Sequence, residues 1–257
     1  MKRLWCAVWT LLLAGCLNLE SPAPAEQTRL VVHAILDAEA DQQKVLLYRA
    51  RTGLPTVIEG SRIGDDEPVT GANVSITTPE GATLNNWLCC GPGTYVFPDS
   101  LQGPSLTPGG TYTLRIRTPF GEEVTGTTTI PGPSHLTLDS PRVFLRFHDT
   151  LRLSWPPVRG AASYEVIIRM PLFNEEYRTF ADTAFTLAGT ALTITGDEIF
   201  PWGQEVTVLV SAVDVNYYDY YGSQSDPFAG AAPSHLTGAV GVFGSIVPIY
   251  ATTLLVR

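Results

Sequence analysis

Thr111-Tyr112-Thr113-Leu114-Arg115-Ile116-Arg117 alternates apolar and polar side chains without a break. Successive side chains on a strand point to opposite faces, so this stretch gives one buried and one wet face, the mark of a half-buried antiparallel strand. The same period recurs along the chain. Leu151, Leu153 and Trp155 alternate with Arg152 and Ser154, Tyr164, Val166 and Ile168 form a second set, and Val206, Val208, Val210 and Ala212 a third. Pro79-Glu80-Gly81, Gly91-Pro92-Gly93, Pro108-Gly109-Gly110 and Pro119-Phe120-Gly121 separate such runs as turns. The 23 Gly and 20 Pro residues punctuate short strands, and helical period is nearly absent, so the fold class is all-β.

The pattern divides at Ile130-Pro131-Gly132-Pro133. Two tandem antiparallel β-sandwiches of immunoglobulin-like type are expected, one over residues 29–130 and one over 134–257 with a C-terminal extension. Strands of the first module are expected at Arg29–Asp37, Lys44–Arg49, Asn73–Thr78, Thr94–Phe97, Thr111–Arg117 and Glu122–Ile130. The largely apolar tail Ala239–Val256 contains Gly241, Gly244 and Pro248 and is rich in β-branched residues. Two buried strands with a bend at Pro248 fit it better than a membrane helix.

The chain opens with a different signal. Lys2 and Arg3 precede a short apolar run that ends Leu13-Ala14-Gly15-Cys16. This is the form of a bacterial lipoprotein signal peptide over residues 1–15, with Cys16 acylated as the mature N-terminus. Residues 16–28 then form a lipidated Pro/Ala/polar linker. Leu17 rather than Asp follows Cys16, which by resemblance to lipoprotein sorting places the anchor in the outer membrane, on either side of it. Processing removes two basic residues and no acid, leaving 14 basic against 25 acidic residues. A body this acidic is a poor nucleic-acid binder and a poor adhesive for anionic membrane, so the acyl chains do the anchoring.

Of the four cysteines, Cys6 lies in the signal and Cys16 carries lipid. Cys89 and Cys90 remain, adjacent, with no distant partner to staple a long loop. They form a strained vicinal disulfide, stay free, or pair between molecules. His33, His135, His148 and His235 are scattered, with no ligand spacing for a metal. His148-Asp149 and Ser134-His135 are sequence neighbours, which a strand turns to opposite faces, and no nucleophile elbow is present. No catalytic residue, metal or cofactor is assigned, and a non-enzymatic role is expected. Asp65-Asp66-Glu67 reads as a solvated acidic turn.

The best candidate binding surface is Tyr217-Tyr218-Asp219-Tyr220-Tyr221, following the strand Val206–Ala212 and expected as a loop at one end of a sandwich. Flat faces together with hydrogen-bonding groups suit a sugar, a peptide or a protein. Equally, alternate tyrosines on a strand would cover the edge of the core. Trp87 and Trp202 are weaker candidates.

Leu151-Arg152-Leu153-Ser154-Trp155-Pro156-Pro157, Ala162–Ile168 and Glu205–Asp214 together resemble a fibronectin type III sandwich. That resemblance implies that Trp155 and Tyr164 pack between sheets. Five further phrases, in order, resemble an uncharacterised lipoprotein family of Bacteroidota and related phyla (domain-of-unknown-function family forty-two forty-nine). They are Arg29–Ala34, Pro68–Thr77, Gly91–Phe97, Pro108–Ile116 and Leu236–Gly244. Proteins of that family are commonly encoded beside TonB-dependent outer-membrane receptors. The resemblance implies an accessory or docking partner of such a receptor. The alternative is a glycan-binding surface lipoprotein that uses the Tyr217–Tyr221 loop, its aromatic faces stacking on sugar rings.

Replacing Cys16 by alanine is expected to move the body from the membrane pellet to the aqueous fraction in cell fractionation. A variant that still pellets in high salt would overturn the anchoring argument.

Overall fold

The alternating runs become hydrogen-bonded strands in a computed structural model. It describes residues 28–38, 40–50, 57–58, 61–62, 67–85, 87–98, 106–132, 137–145, 150–170, 175–181, 190–195, 205–224 and 233–256. The signal peptide, Cys16 and almost all of the linker lie outside these residues, as do His135, His148 and Trp202.

In chain order the first half carries β1 (Arg29–Asp37), β2 (Gln42–Ala50), β3 (Val57–Ile58), β4 (Ser61–Arg62), β5 (Glu67–Pro68) and β6 (Asn73–Thr77). It continues with β7 (Thr83–Leu84), β8 (Leu88–Gly91), β9 (Thr94–Pro98), β10 (Thr111–Arg117) and β11 (Glu123–Thr129). The second half adds β12 (Thr137–Leu145), β13 (Thr150–Trp155), β14 (Ser163–Met170), β15 (Glu175–Ala181), β16 (Thr190–Thr195) and β17 (Glu205–Val213). One helix, α1 (Val215–Gln224), precedes β18 (Leu236–Thr237) and the long β19 (Val240–Val256). The expected strands of the first half stand within a residue or two of these bounds.

Two sheets form the sandwich. The larger runs β15-β14-β17-β19-β1-β2-β9-β8, with β12 beside β19 and β5 beside β2; the smaller runs β18-β11-β10-β6-β7. Tandem modules with separate sheets would keep β1 and β19 apart. Instead they are parallel neighbours, in register from Val31–Val240 to Asp37–Ile246. Chain from both sides of Ile130–Pro133 therefore shares one sheet and one core. Tyr112, Leu114 and Ile116 from the small sheet meet Leu47, Phe243 and Val247 from the large one. Trp155 and Tyr164 belong to the same core, edge to face at 5.6 Å, as the fibronectin-like pattern implies.

β19 organises the large sheet. Val240–Ile246 pairs with β1, Tyr250–Val256 pairs in parallel with β12, and β17 runs antiparallel beside it from Ile246 to Leu255. The tail is thus one strand, not two strands hinged at Pro248. Its register shifts beside Val210 and Ser211, where Pro248, lacking an N–H, stands opposite Ser211. No helix among the described residues is long and apolar enough to cross a membrane.

Gly241 makes the parallel pairing possible. Its φ is +115°, and a Cβ there would lie 2.0 Å from the Val32 carbonyl oxygen of β1. Gly241→Ala is expected to cost about 3 kcal/mol or more, lowering Tm by roughly 6–12 °C for a body of this size. An unchanged melting curve would show that the β1–β19 register does not need this glycine.

Candidate functional site

The large sheet has two faces. Val32, Ala34 and Leu36 of β1 enter the sandwich core, so His33, Ile35 and Asp37 point the other way. On this outer face the strands form the floor of a recess of about 900 Å³, with α1 standing along one side. Ile35, Leu46, Val96, Ile167, Leu209 and Ile246 give it an aliphatic lining.

The wall is the tyrosine segment, and it is a helix rather than a loop. Asp214 caps it: Oδ1 accepts from the Tyr217 N–H at 3.0 Å, and the Asp214 carbonyl accepts from the Tyr218 N–H at 3.1 Å. The helix has no strong propensity of its own, so tertiary contacts hold it. Asn216 Nδ2 donates to the carbonyls of Thr127 in β11 and Phe243 in β19, at 2.6 and 2.8 Å. Gly244 of β19 leaves room for the first turn, since a Cβ there would lie 2.9 Å from the Tyr217 nitrogen. Asp214 also accepts from the Ser245 N–H at 3.0 Å and from the Thr128 hydroxyl at 2.6 Å. One carboxyl therefore joins helix, large sheet and small sheet.

This geometry sorts the predicted binding residues. Tyr217 and Tyr220 are 3% and 4% exposed, while Tyr218, Asp219 and Tyr221 are half-buried. Asp219 is engaged by His235 Nε2 at 2.7 Å. The helical period separates Tyr218 from Tyr220, which a strand would have placed on one face. Tyr217 and Tyr221 instead lie one turn apart, ring centroids 4.5 Å from each other, and both line the recess.

Their hydroxyls join a polar chain that the sequence did not announce. Tyr217 donates to Glu165 Oε1 at 2.8 Å, and Glu165 is 1% exposed. The Tyr221 hydroxyl is hydrogen-bonded to His33 Nε2, and His33 lies edge-on to the rings of Tyr220 and Tyr221. Glu165 thus sits at the β14 end of the recess, and His33 sits beneath α1. Lys44, exposed on β2, lines the recess farther along, with Asp37 on β1, and Thr94, Val96 and Cys90 carry the lining on to β9 and β8. Cys90 is an exposed free thiol that also lines the recess, on the edge strand β8. No group of three or more metal-ligating side chains stands together among the described residues.

One cue for the helix was present in the sequence. Asp214 in capping position, followed by tyrosines at 217, 220 and 221, has the i, i+3, i+4 spacing of a helix packed on one face. The cue for Glu165 and His33 is weaker. Both interrupt runs, Tyr164–Ile168 and Leu30–Leu36, whose other residues are apolar on both faces, as in strands covered on both sides.

A family model described as Domain of unknown function (DUF4249) matches residues 18–247. No curated protein sequence matches the chain. Among solved structures, the chain is similar to a two fibronectin type-III domain segment from chicken tenascin, at 12% identity and TM-score 0.24, covering 73% of this chain and 92% of that one. It is also similar to the chicken CNTN1 FN1-FN3 domains, at 13% identity and TM-score 0.22, over 87% and 66%. Fibronectin(III)-like modules of Clostridium thermocellum CbhA are similar at 8% identity and TM-score 0.19, over 86% and 94%.

Burial raises the Asp214 carboxyl above its ordinary 3.8, against the opposing pull of the hydrogen bonds from Thr128, Ser245 and Tyr217. The folded chain thus keeps this proton to higher pH than the unfolded chain. The stability linked to that proton is complete below 3.8 and is lost as pH rises through the raised value. Asp214→Asn cannot titrate, so the Tm difference, wild type minus variant, is expected to shrink as pH rises through that window. Asp214→Ala, which leaves the Tyr217 and Ser245 N–H groups without this acceptor, is expected to cost about 3 kcal/mol below that window and less above it. A Tm difference between wild type and Asp214→Asn that ignores pH would overturn the assignment.

Proposed function

We propose a role for this chain, which belongs to the family described as Domain of unknown function (DUF4249): it is a non-catalytic, lipid-anchored outer-membrane protein that docks on a TonB-dependent receptor as its accessory. The observation that carries the reading is the recess beside α1. It combines an aliphatic floor with fixed polar groups, the usual composition of a binding site. Its volume of about 900 Å³ lies within the range of ligand sites, roughly 300–1,000 Å³. The Leu13–Cys16 signal supports the anchor, and the acidic balance supports acyl chains over basic residues as the means of attachment.

The anchor would act through concentration. Confining the body to the membrane plane makes each encounter with a membrane partner effectively intramolecular, so modest contacts suffice for a stable complex.

Glycan binding is the second reading. Its support comes from a shallow groove of about 560 Å³, where Asn73, Ser75, Thr83 and Asn85 stand beside the half-buried Trp87. An aromatic face among amides and hydroxyls is a sugar-compatible surface. The tyrosine segment contributes less than its composition promised, because Tyr217 and Tyr220 are packed inside.

Affinity purification of the tagged full chain from solubilised membranes is expected to recover a β-barrel receptor. Recovery of no outer-membrane protein would count against docking, and a positive glycan array with the same body would transfer the assignment to the second reading.

A further inference from the structure

The start of β1 and the turn between β10 and β11 lie at one pole of the body. From that juxtaposition we infer that Phe120, at the tip of the turn, inserts into the bilayer that holds the acyl anchor. The inference rests on the reading of Cys16 as lipidated, and adds which end of the body faces the membrane.

The turn itself does not ask for an aromatic residue. In Thr118-Pro119-Phe120-Gly121 the Gly121 N–H donates to the Thr118 carbonyl at 3.0 Å, and the Thr118 N–H donates to the Glu122 carbonyl at 3.0 Å. Gly121 has φ +86°. Thr78-Pro79-Glu80-Gly81 repeats this geometry, with the corresponding bonds at 3.0 and 2.8 Å and φ +84° at Gly81. That second turn joins β6 to β7 at the opposite pole, since in the β6–β10 ladder Asn73 pairs with Arg117 and Thr77 with Thr113. One turn frame thus holds Glu at the far pole and Phe at the near one. Phe120 is 79% exposed, against 54% for Leu88 and 51% for Val215.

Position ties this tip to the anchor. Arg49 pairs with Leu30, the second residue of β1. Its guanidinium lies 5.4 Å from the centroid of the Phe120 ring and 2.6 Å from Glu122. β1 therefore begins beside the tip. Only residues 17–28 separate it from Cys16, and at ~3.3–3.6 Å per residue those twelve reach no farther than about 43 Å. The far turn stands about 20 Å beyond, the length of β10 at ~3.3 Å per residue. The linker keeps the body close and leaves its orientation open; Phe120 chooses the orientation.

Charge points the same way. Arg49 is paired with Glu122 and Arg117 with Glu123, and exposed Arg29 and Glu67 add one charge of each sign. Among the described residues around the tip the charges balance, on a chain whose net charge is −9. This pole meets an anionic surface with little of the repulsion felt by the rest of the body. Exposed Pro119 and Gly71 stand beside the ring without charge. The Arg49 guanidinium stays at headgroup level while the ring enters the acyl boundary. Asp37, at the other end of β1, then lies away from the bilayer, so the recess it lines stays open to a partner.

The test uses the full lipidated chain in phosphatidylethanolamine–phosphatidylglycerol vesicles, with and without lipid brominated on its acyl chains, which quenches tryptophan on contact. Phe120→Trp and Glu80→Trp each add one indole, on exposed turns at the two poles. The emission gained in Phe120→Trp over wild type is expected to be quenched, and that gained in Glu80→Trp to be spared. Combining Glu80→Trp with Phe120→Ser is expected to lower the population with this tip inserted about tenfold, the worth of withdrawing one aromatic side chain from an apolar setting. The freed body then brings the far pole into contact, and quenching there rises. Equal quenching in the two single variants, no rise on adding Phe120→Ser, or a blue-shifted Phe120→Trp signal that brominated lipid leaves alone, which places the tip against protein, overturns the inference. A wild-type chain that does not float with the vesicles removes the anchor reading too. A chain that floats while its Phe120→Trp signal stays unquenched leaves the anchor standing and drops only the tip.

Discussion

The carboxyl of Asp214 is the point on which the architecture turns. It ends β17, caps α1, and receives hydrogen bonds from Ser245 in β19 and Thr128 in β11. Burying such a group is costly unless its lone pairs are filled, and three donors converge on it. The result fixes three things together: where the strand stops, where the helix begins, and how the small sheet sits on the large one. Asn216 doubles the link by reaching carbonyls of both sheets. Without this node, α1 would have no reason to lie against Gly244, and the recess would lose its wall.

Most of the fold was legible because alternation is a strong local signal. The hairpin β10–β11 buries every second residue with no exception, and its turns carry the Pro and Gly that the chain advertises. What the sequence left hidden is non-local. Nothing near Ile130 reveals that Val31 and Val240 will be neighbours, since parallel pairing between distant strands has no spacing rule of its own. The break in composition at Ile130–Pro133 marks a change of sheet, which looks from the sequence like a change of domain. Pro248 misled for a similar reason: proline disfavours a central strand, but a register shift accommodates it.

The candidate site was only half readable. The tyrosine segment stood out by composition, yet its aromatic residues favour strands while its Asn, Asp and Gly favour turns. Tertiary contacts overrode both preferences. Glu165 and His33 went unread because a single acid or histidine in an otherwise apolar run reads as solvent-facing. That reading holds only when one side of the sheet is wet. Here α1 covers part of the second side, and Tyr217 and Tyr221 hydrogen-bond to the polar groups beneath it.

The parallel contact between β1 and β19 bears on how the polypeptide reaches its native state. In the register, 209 positions separate Val31 from Val240. β1 is followed directly by β2 and can zip to it at once, but its second edge stays bare until β19 is available. An unpaired edge of this kind, Leu30-Val31-Val32 included, is a template for intermolecular association. Pairing across so long a loop is also slow, because the closure entropy must be met before the contact returns anything. The polypeptide is therefore exposed to misassembly until β19 docks, and the half-folded chain is the natural client of a holding chaperone.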